Sequence, residues 1–165
     1  DWGHLTGNVR NAMKYVKTKY ILVVQHDLPF IQAVDIHKII EDLKSTPELK
    51  CIRFNKRNNN QIIGWEKKFN YNNLYNKYQV NKNYSYISSP NWSDNNHICS
   101  TEYYNNVILK ISKDKTAMEN NLKNIKRDNK FMNKFGPYIF GDLNQKAYIN
   151  HLDGSGRWTK NNWGN

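Results

Sequence analysis

The sequence predicts an α/β fold, a mixed and mainly parallel sheet flanked by helices. Three observations predict it. Apolar residues at helical spacing alternate along the chain with short apolar runs. One of those runs, Tyr20-Ile21-Leu22-Val23-Val24, is continuous and rich in β-branched residues, the pattern of a strand buried on both faces of a parallel sheet. It stops at Gln25-His26-Asp27, which sets polar side chains at the carboxyl edge of a strand, where open α/β sheets collect ligands.

The elements follow in order. Val9, Ala12, Met13 and Val16 share one face of an opening helix, with Thr6 or Asn8 as its cap. Lys17-Thr18-Lys19 breaks it before the apolar strand. Leu28-Pro29-Phe30 turns the chain. Ile36, Ile39, Ile40 and Leu43 then form a second helical stripe, with Asp35 in or near its first turn, and Thr46-Pro47 ends that helix. Lys50–Phe54 alternates as a strand, Asn58-Asn59-Asn60 turns, and Gln61–Trp65 returns as its partner. Residues 66–83, rich in Asn, Lys and Tyr, read as a long excursion on the substrate side or an ordinary surface insertion. Tyr84–Ser88 is a short strand and Ser89–Asn96 a loop. A helix from Ser100 or Thr101 turns Tyr104, Ile108 and Leu109 inward. Another runs from about Thr116 to Phe131, and Gly136-Pro137 breaks it. Pro137–Phe140 and Ala147–Ile149 are strands. The tail 151–165 holds three glycines, Gly154, Gly156 and Gly164, and has little periodicity, so it reads as a flexible flap on one domain spanning 1–165.

Composition excludes several classes. The chain has 165 residues and a formal charge of +11. No stretch approaches the roughly 20 apolar residues of a membrane span. The opening Asp1-Trp2-Gly3-His4 lacks the basic and apolar regions of a secretory signal. Two cysteines, Cys51 and Cys99, make neither a disulfide framework nor a four-cysteine zinc site. With no signal and two free thiols, the expected compartment is cytoplasmic. The charge comes from 20 Lys against 5 Arg, beside 27 Asn. Arginine is the better fork for phosphate and guanine, so this balance reads as lysine and asparagine bias and disfavours nucleic acid as a partner.

Four segments draw attention together: Gly7-Asn8-Val9-Arg10-Asn11, Val23-Val24-Gln25-His26-Asp27, Asn91-Trp92-Ser93-Asp94-Asn95-Asn96-His97, and His151-Leu152-Asp153-Gly154-Ser155-Gly156-Arg157. The first two, in this order and spacing, resemble the middle of GT-A glycosyltransferases of the family 2 type. Val9-Arg10-Asn11 stands in place of that family's Ala-Arg-Asn, and Tyr20 through Asp27 in place of its hydrophobic strand ending in D-x-D. Gln25 occupies the place of the first acid. The resemblance implies a GT-A-like sheet without its N-terminal nucleotide-binding strands, because it covers the middle and back of the family's domain. It implies an inverting, metal-assisted transfer of sugar from a nucleotide-sugar donor to a hydroxyl of a glycan or other acceptor. Arg10 and Asn11 then lie by the donor, Asp27 holds Mn²⁺ or Mg²⁺ on the diphosphate, and His151, like a late histidine in many such enzymes, is a metal ligand or phosphate donor; His26 is placed on the donor side by its position beside Asp27.

The chemistry suits these residue types. Charge builds on a departing diphosphate, and a carboxylate-bound hard cation neutralises it. Glycines of the tail let backbone approach closely, and Arg157 forks onto phosphate. The family's base is a carboxylate downstream of the metal motif. Glu119, near a helix start, and Asp94, beside an aromatic, both fit. Glu119 is the favoured base, and Trp92, whose ring suits a sugar face, shapes the acceptor or donor-sugar pocket with Asp94. Each residue also has a plainer reading: Glu119 as a first-turn dipole partner, Asp94 as a turn residue, His26 as a positioning group. Two other functions stay open at this point, a transferase-like domain that binds glycans without turnover and a basic nucleic-acid-binding module.

Overall fold

The computed structural model describes residues 4–59, 78–89, 91–122 and 129–152. Six strands form one open sheet flanked by helices. They are β1 (Tyr20–Val23), β2 (Cys51–Arg53), β3 (Gln79–Asn81), β4 (Ser85–Ser88), β5 (His97–Ser100) and β6 (Pro137–Phe140), in the spatial order β1-β5-β2-β6-β4-β3. The mixed α/β class holds. The expectation of a mainly parallel sheet is corrected, because among the described residues only β2 and β6 pair in parallel. β1 with β5, β2 with β5, β4 with β6 and β3 with β4 are all antiparallel. Two of these four pairings come from β5, which the sequence pattern leaves unassigned. It inserts between β1 and β2 and runs against both. Four residues, His97-Ile98-Cys99-Ser100, are too few to show a period beside the polar loop before them.

The apolar run at β1 is therefore not a central strand. It stands first in the strand order, with Leu22 40% exposed and Val24 52% exposed. The core lies further along the sheet, where Ile52, Ile98 and Phe54 are fully or almost fully buried. Cys51 faces Cys99 across the β2–β5 pair, and both thiols are buried and free.

Helix α1 (His4–Met13) starts before both expected caps. Thr6 lies inside it and its hydroxyl donates to the Thr116 carbonyl at 2.5 Å. Helix α2 (Ile36–Ser45) is capped by Asp35, whose carboxylate accepts from the backbone N–H groups of His37 and Lys38. This satisfies two of the helix's orphan donors. The same helix buries Asp42, which is 1% exposed. One carboxylate oxygen accepts from the Asn83 backbone N–H at 3.1 Å and its amide at 2.9 Å. The other accepts from the Tyr84 N–H at 3.2 Å and the Tyr86 hydroxyl at 2.5 Å. Burial of the Tyr86 phenol and its bond to Asp42 push its ionisation far upward. Asp42 thereby pins α2 to the β3–β4 turn.

Helix α3 (Thr101–Tyr103) is capped by Ser100, which accepts from the Tyr103 N–H at 3.0 Å, and widens at once into a π-helical Tyr104–Leu109. It buries Tyr104, Ile108 and Leu109, the residues its apolar stripe indicates. The long helix expected over 116–131 is seen as α4 (Met118–Leu122) and α5 (Asn129–Phe135). Gly136 ends α5 at φ 43°, and a Cβ there would lie 2.5 Å from the Glu48 carbonyl oxygen. Its own carbonyl accepts from Lys50 and Cys51, which sets β2 beside β6.

Tyr78 and strand β3 replace the end of the expected excursion. The expected strand 61–65, Arg157 and the flap beyond residue 152 lie outside the described residues. Ala147–Ile149 forms a bridge between Ile149 and Phe30 in place of a full strand. Among the described residues no helix is long and apolar enough to cross a membrane.

Candidate functional site

The polar residues after β1 are held by a buried asparagine. Asn96 is fully buried. Its side-chain oxygen accepts from the Gln25 N–H at 2.8 Å, its amide donates to the Leu28 carbonyl at 2.6 Å, and its carbonyl accepts from the Phe54 N–H at 2.8 Å. One residue thus joins the ends of β1 and β2 to the loop entering β5. The Gln25 amide, in the place of the first acid of the D-x-D pattern, donates to the Asp94 carbonyl at 2.9 Å. Gln25 is therefore a structural tie to the Asp94 loop.

Asp27 and His151 meet. The segment 148–152 runs antiparallel to 27–31: Ile31 N–H donates to the Tyr148 carbonyl at 2.9 Å, Asn150 N–H to Pro29 at 3.0 Å, and Leu152 N–H to Asp27 at 2.9 Å. That register brings His151 Nε2 to 3.1 Å from Asp27 Oδ2 across 124 residues of sequence. Both side chains are partly buried, 24% and 17% exposed for His151 and Asp27. One carboxylate and one imidazole make a short ligand set. Among the described residues no cluster of three or more His, Cys, Asp or Glu surrounds a single point. The two groups face each other at hydrogen-bonding distance, so each is the other's partner.

Asp94 and Glu119 also meet. Glu119 lies in the first turn of α4, as its sequence position indicates. Its Oε1 accepts from the Ser93 hydroxyl at 2.5 Å and the Asp94 N–H at 3.0 Å. Burial and the Glu119 charge push the Asp94 carboxyl up to about 7. Burial alone would raise Glu119 as well. The hydrogen bonds from Asp94 and Ser93, with the Arg53 cation, outweigh it and hold Glu119 below the ordinary carboxylate range.

Other expected residues take different places. Arg10 Nε meets Asp114 Oδ1 at 3.0 Å, and its terminal nitrogen donates to the carbonyls of Leu109 at 3.0 Å and Ser112 at 2.7 Å. These contacts tie α1 to the end of the π-helical segment and occupy the fork expected to face a diphosphate. Asn11 is exposed and accepts from Lys14. His26 is exposed beside Asp27. Trp92 is 3% exposed and packs edge-on to His97, with ring centres 5.4 Å apart. Its faces are closed to a sugar, so the expected acceptor platform is corrected to a core residue. His97 is fully buried and stacks on Tyr104 at 5.5 Å. Its Nδ1 faces the Asn95 carbonyl at 2.7 Å, and burial pushes its ionisation down to about 4, so the ring is neutral at pH 7.

Two site residues have no role assigned to them by the sequence pattern. Asn96 is one of 27 asparagines and carries no mark of its own. Arg53 falls in an alternating strand, and its scarcity, one of 5 arginines in a lysine-rich chain, is the signal the sequence offers for it. Comparisons with protein-family models, with curated proteins and with solved structures return no match to this chain.

Proposed function

We propose that this chain belongs to an inverting glycosyltransferase that takes its sugar from a nucleotide-activated donor. The observation that supports the reading best is the meeting of Asp27 and His151 at the end of β1. A carboxylate and an imidazole at one point, on the edge of a sheet, suit the diphosphate end of such a donor. Asp27 and His151 would hold the cation, and Mn²⁺ or Mg²⁺ bound there supplies charge neutralisation for the leaving diphosphate.

The reaction needs a second group, and the Asp94–Glu119 pair offers it. The acceptor oxygen forms a bond to the anomeric carbon while that carbon's bond to the phosphate oxygen breaks. The leaving diphosphate takes the bonding electrons, and the acceptor hydroxyl proton passes to a carboxylate. A base whose affinity for the proton is matched to the working pH does this best. Gln25 links the two groups: it lies two residues before Asp27 and bonds the Asp94 backbone. No observation favours the nucleic-acid module.

Mn²⁺ binding followed by electron paramagnetic resonance tests the reading, together with turnover of a panel of sugar nucleotides. Asp27→Asn and His151→Ala are each expected to weaken Mn²⁺ by tenfold or more and to lower donor turnover. Unchanged Mn²⁺ affinity in both variants would refute the metal assignment, and no turnover of any sugar nucleotide would refute the function.

A further inference from the structure

The two carboxyl groups of the site are not equivalent, and the structure divides their work. Glu119 Oε1 is met by two donors, the Ser93 hydroxyl and the Asp94 backbone N–H. Such an oxygen is built to stay an anion, since donors stabilise the charged form of a carboxylate. Arg53 adds a cation. It is the last residue of β2, in register with His97 on β5 and Ile139 on β6. Its Nε is buried and has no hydrogen-bond partner, and its charge acts on Glu119. Asp94 sits against the same carboxylate, which its own backbone N–H meets at 3.0 Å. Around it stand Glu119 from α4, Tyr104 from the π-helical segment and the amide of Gln25 after β1.

We infer that Asp94 is the member of the pair that takes the proton, and that Arg53 is a positioning residue that holds Glu119 as a fixed anion beside it. The inference rests on the transferase reading for its purpose, but not for its test. Two titratable groups whose surroundings push them apart mark an acid–base assignment. With Asp94 half-ionised near neutral pH, an acceptor hydroxyl proton moves to its Oδ as the acceptor oxygen bonds to carbon. Glu119 keeps its charge throughout. This reverses the roles that helix position alone suggests, in which Glu119 is the base.

Carboxyl ¹³C chemical shifts of the full chain, labelled at Asp and Glu and titrated from pH 3 to pH 9, test it without any substrate. In the unsubstituted chain one aspartate is expected to titrate near 7. Asp94→Asn removes that step. Glu119→Gln moves it down by at least one pH unit, a tenfold loss of proton affinity. Arg53→Met raises the Glu119 step, and Arg53→Lys leaves it low. A neutral step that survives Asp94→Asn and vanishes in Glu119→Gln overturns the assignment of the proton. The absence of any aspartate step near 7 in the unsubstituted chain overturns it without recourse to variants. If Arg53→Met leaves both steps in place, the role of Arg53 is wrong. A normal titration with no donor turnover would retire the transferase reading and leave the proton assignment standing.

Discussion

Replacing Asp94 by asparagine should make the protein more stable, and increasingly so as the pH rises. In the folded chain Asp94 binds its proton up to about pH 7, against an ordinary value of 3.8. The unfolded chain therefore releases that proton first as pH rises. Between the two values the unfolded state binds fewer protons than the folded one, so stability falls with pH. The contribution is fully present below the unfolded value and is lost by the time the pH passes the folded one. Glu119 acts in the opposite sense, because its folded value is lowered, but its window lies below the ordinary 4.5. From pH 5 upward Asp94 dominates the difference between the two chains. Two pH units at about 1.4 kcal/mol each come to about 3 kcal/mol between pH 5 and pH 7. Asparagine imitates the protonated acid, since its amide can donate to Glu119. Urea melts of both chains at pH 5, 6, 7 and 8 measure the gap. It should widen by about 3 kcal/mol up to pH 7 and then level off, or about 6–12 °C in melting temperature at this chain length. Stability curves that run parallel from pH 5 to pH 8 would refute the proton affinity assigned to Asp94.

Two further substitutions probe the frame around the site. Asp42→Ala removes the acceptor of four hydrogen bonds, including that of the fully buried Tyr86 hydroxyl. Stranded buried donors should lower stability by about 3 kcal/mol or more, read as an earlier urea midpoint; a midpoint within error of the unsubstituted chain counts against the hub. Trp92→Ala should destabilise by about 3–5 kcal/mol, the usual loss for a buried indole. A thermal melt that stays put while acceptor affinity drops would return Trp92 to the sugar pocket.

The candidate site was legible in the sequence as a set of parts. Asp27 was found because a long apolar run has to end somewhere polar, and Glu119 because an acid opens a helix. Neither rule said what would stand beside them. His151 meets Asp27 only because the strand-like segment 148–152 pairs with 27–31 in one register. Slipping that register by one residue would turn His151 to the other side. Arg10 shows the converse. Its type suits a phosphate, and its fork is taken up by the carbonyls at the end of a helix and by Asp114. Trp92 suits a stacking surface by type, and packing buries it to 3% exposure.

By itself the sequence determined the local elements whose signals are local. Spacing places a helix from Ile36 that ends by Thr46-Pro47, with Asp35 in or near its first turn, and apolar or alternating runs place strands at Tyr20, Cys51 and Pro137. Side-chain periodicity and capping need only neighbours along the chain, so they are written there. Tertiary structure alone decided the sheet order, the direction of its strands and the protonation of the site. β5 is four residues long, yet it sets β1 at the edge and makes two of the sheet's four antiparallel pairings. Asp94 and Glu119 differ because one oxygen collects two donors and a nearby cation while the other carboxyl is buried against a charge. Those differences arise from burial and from distances across space, which no period in the sequence records.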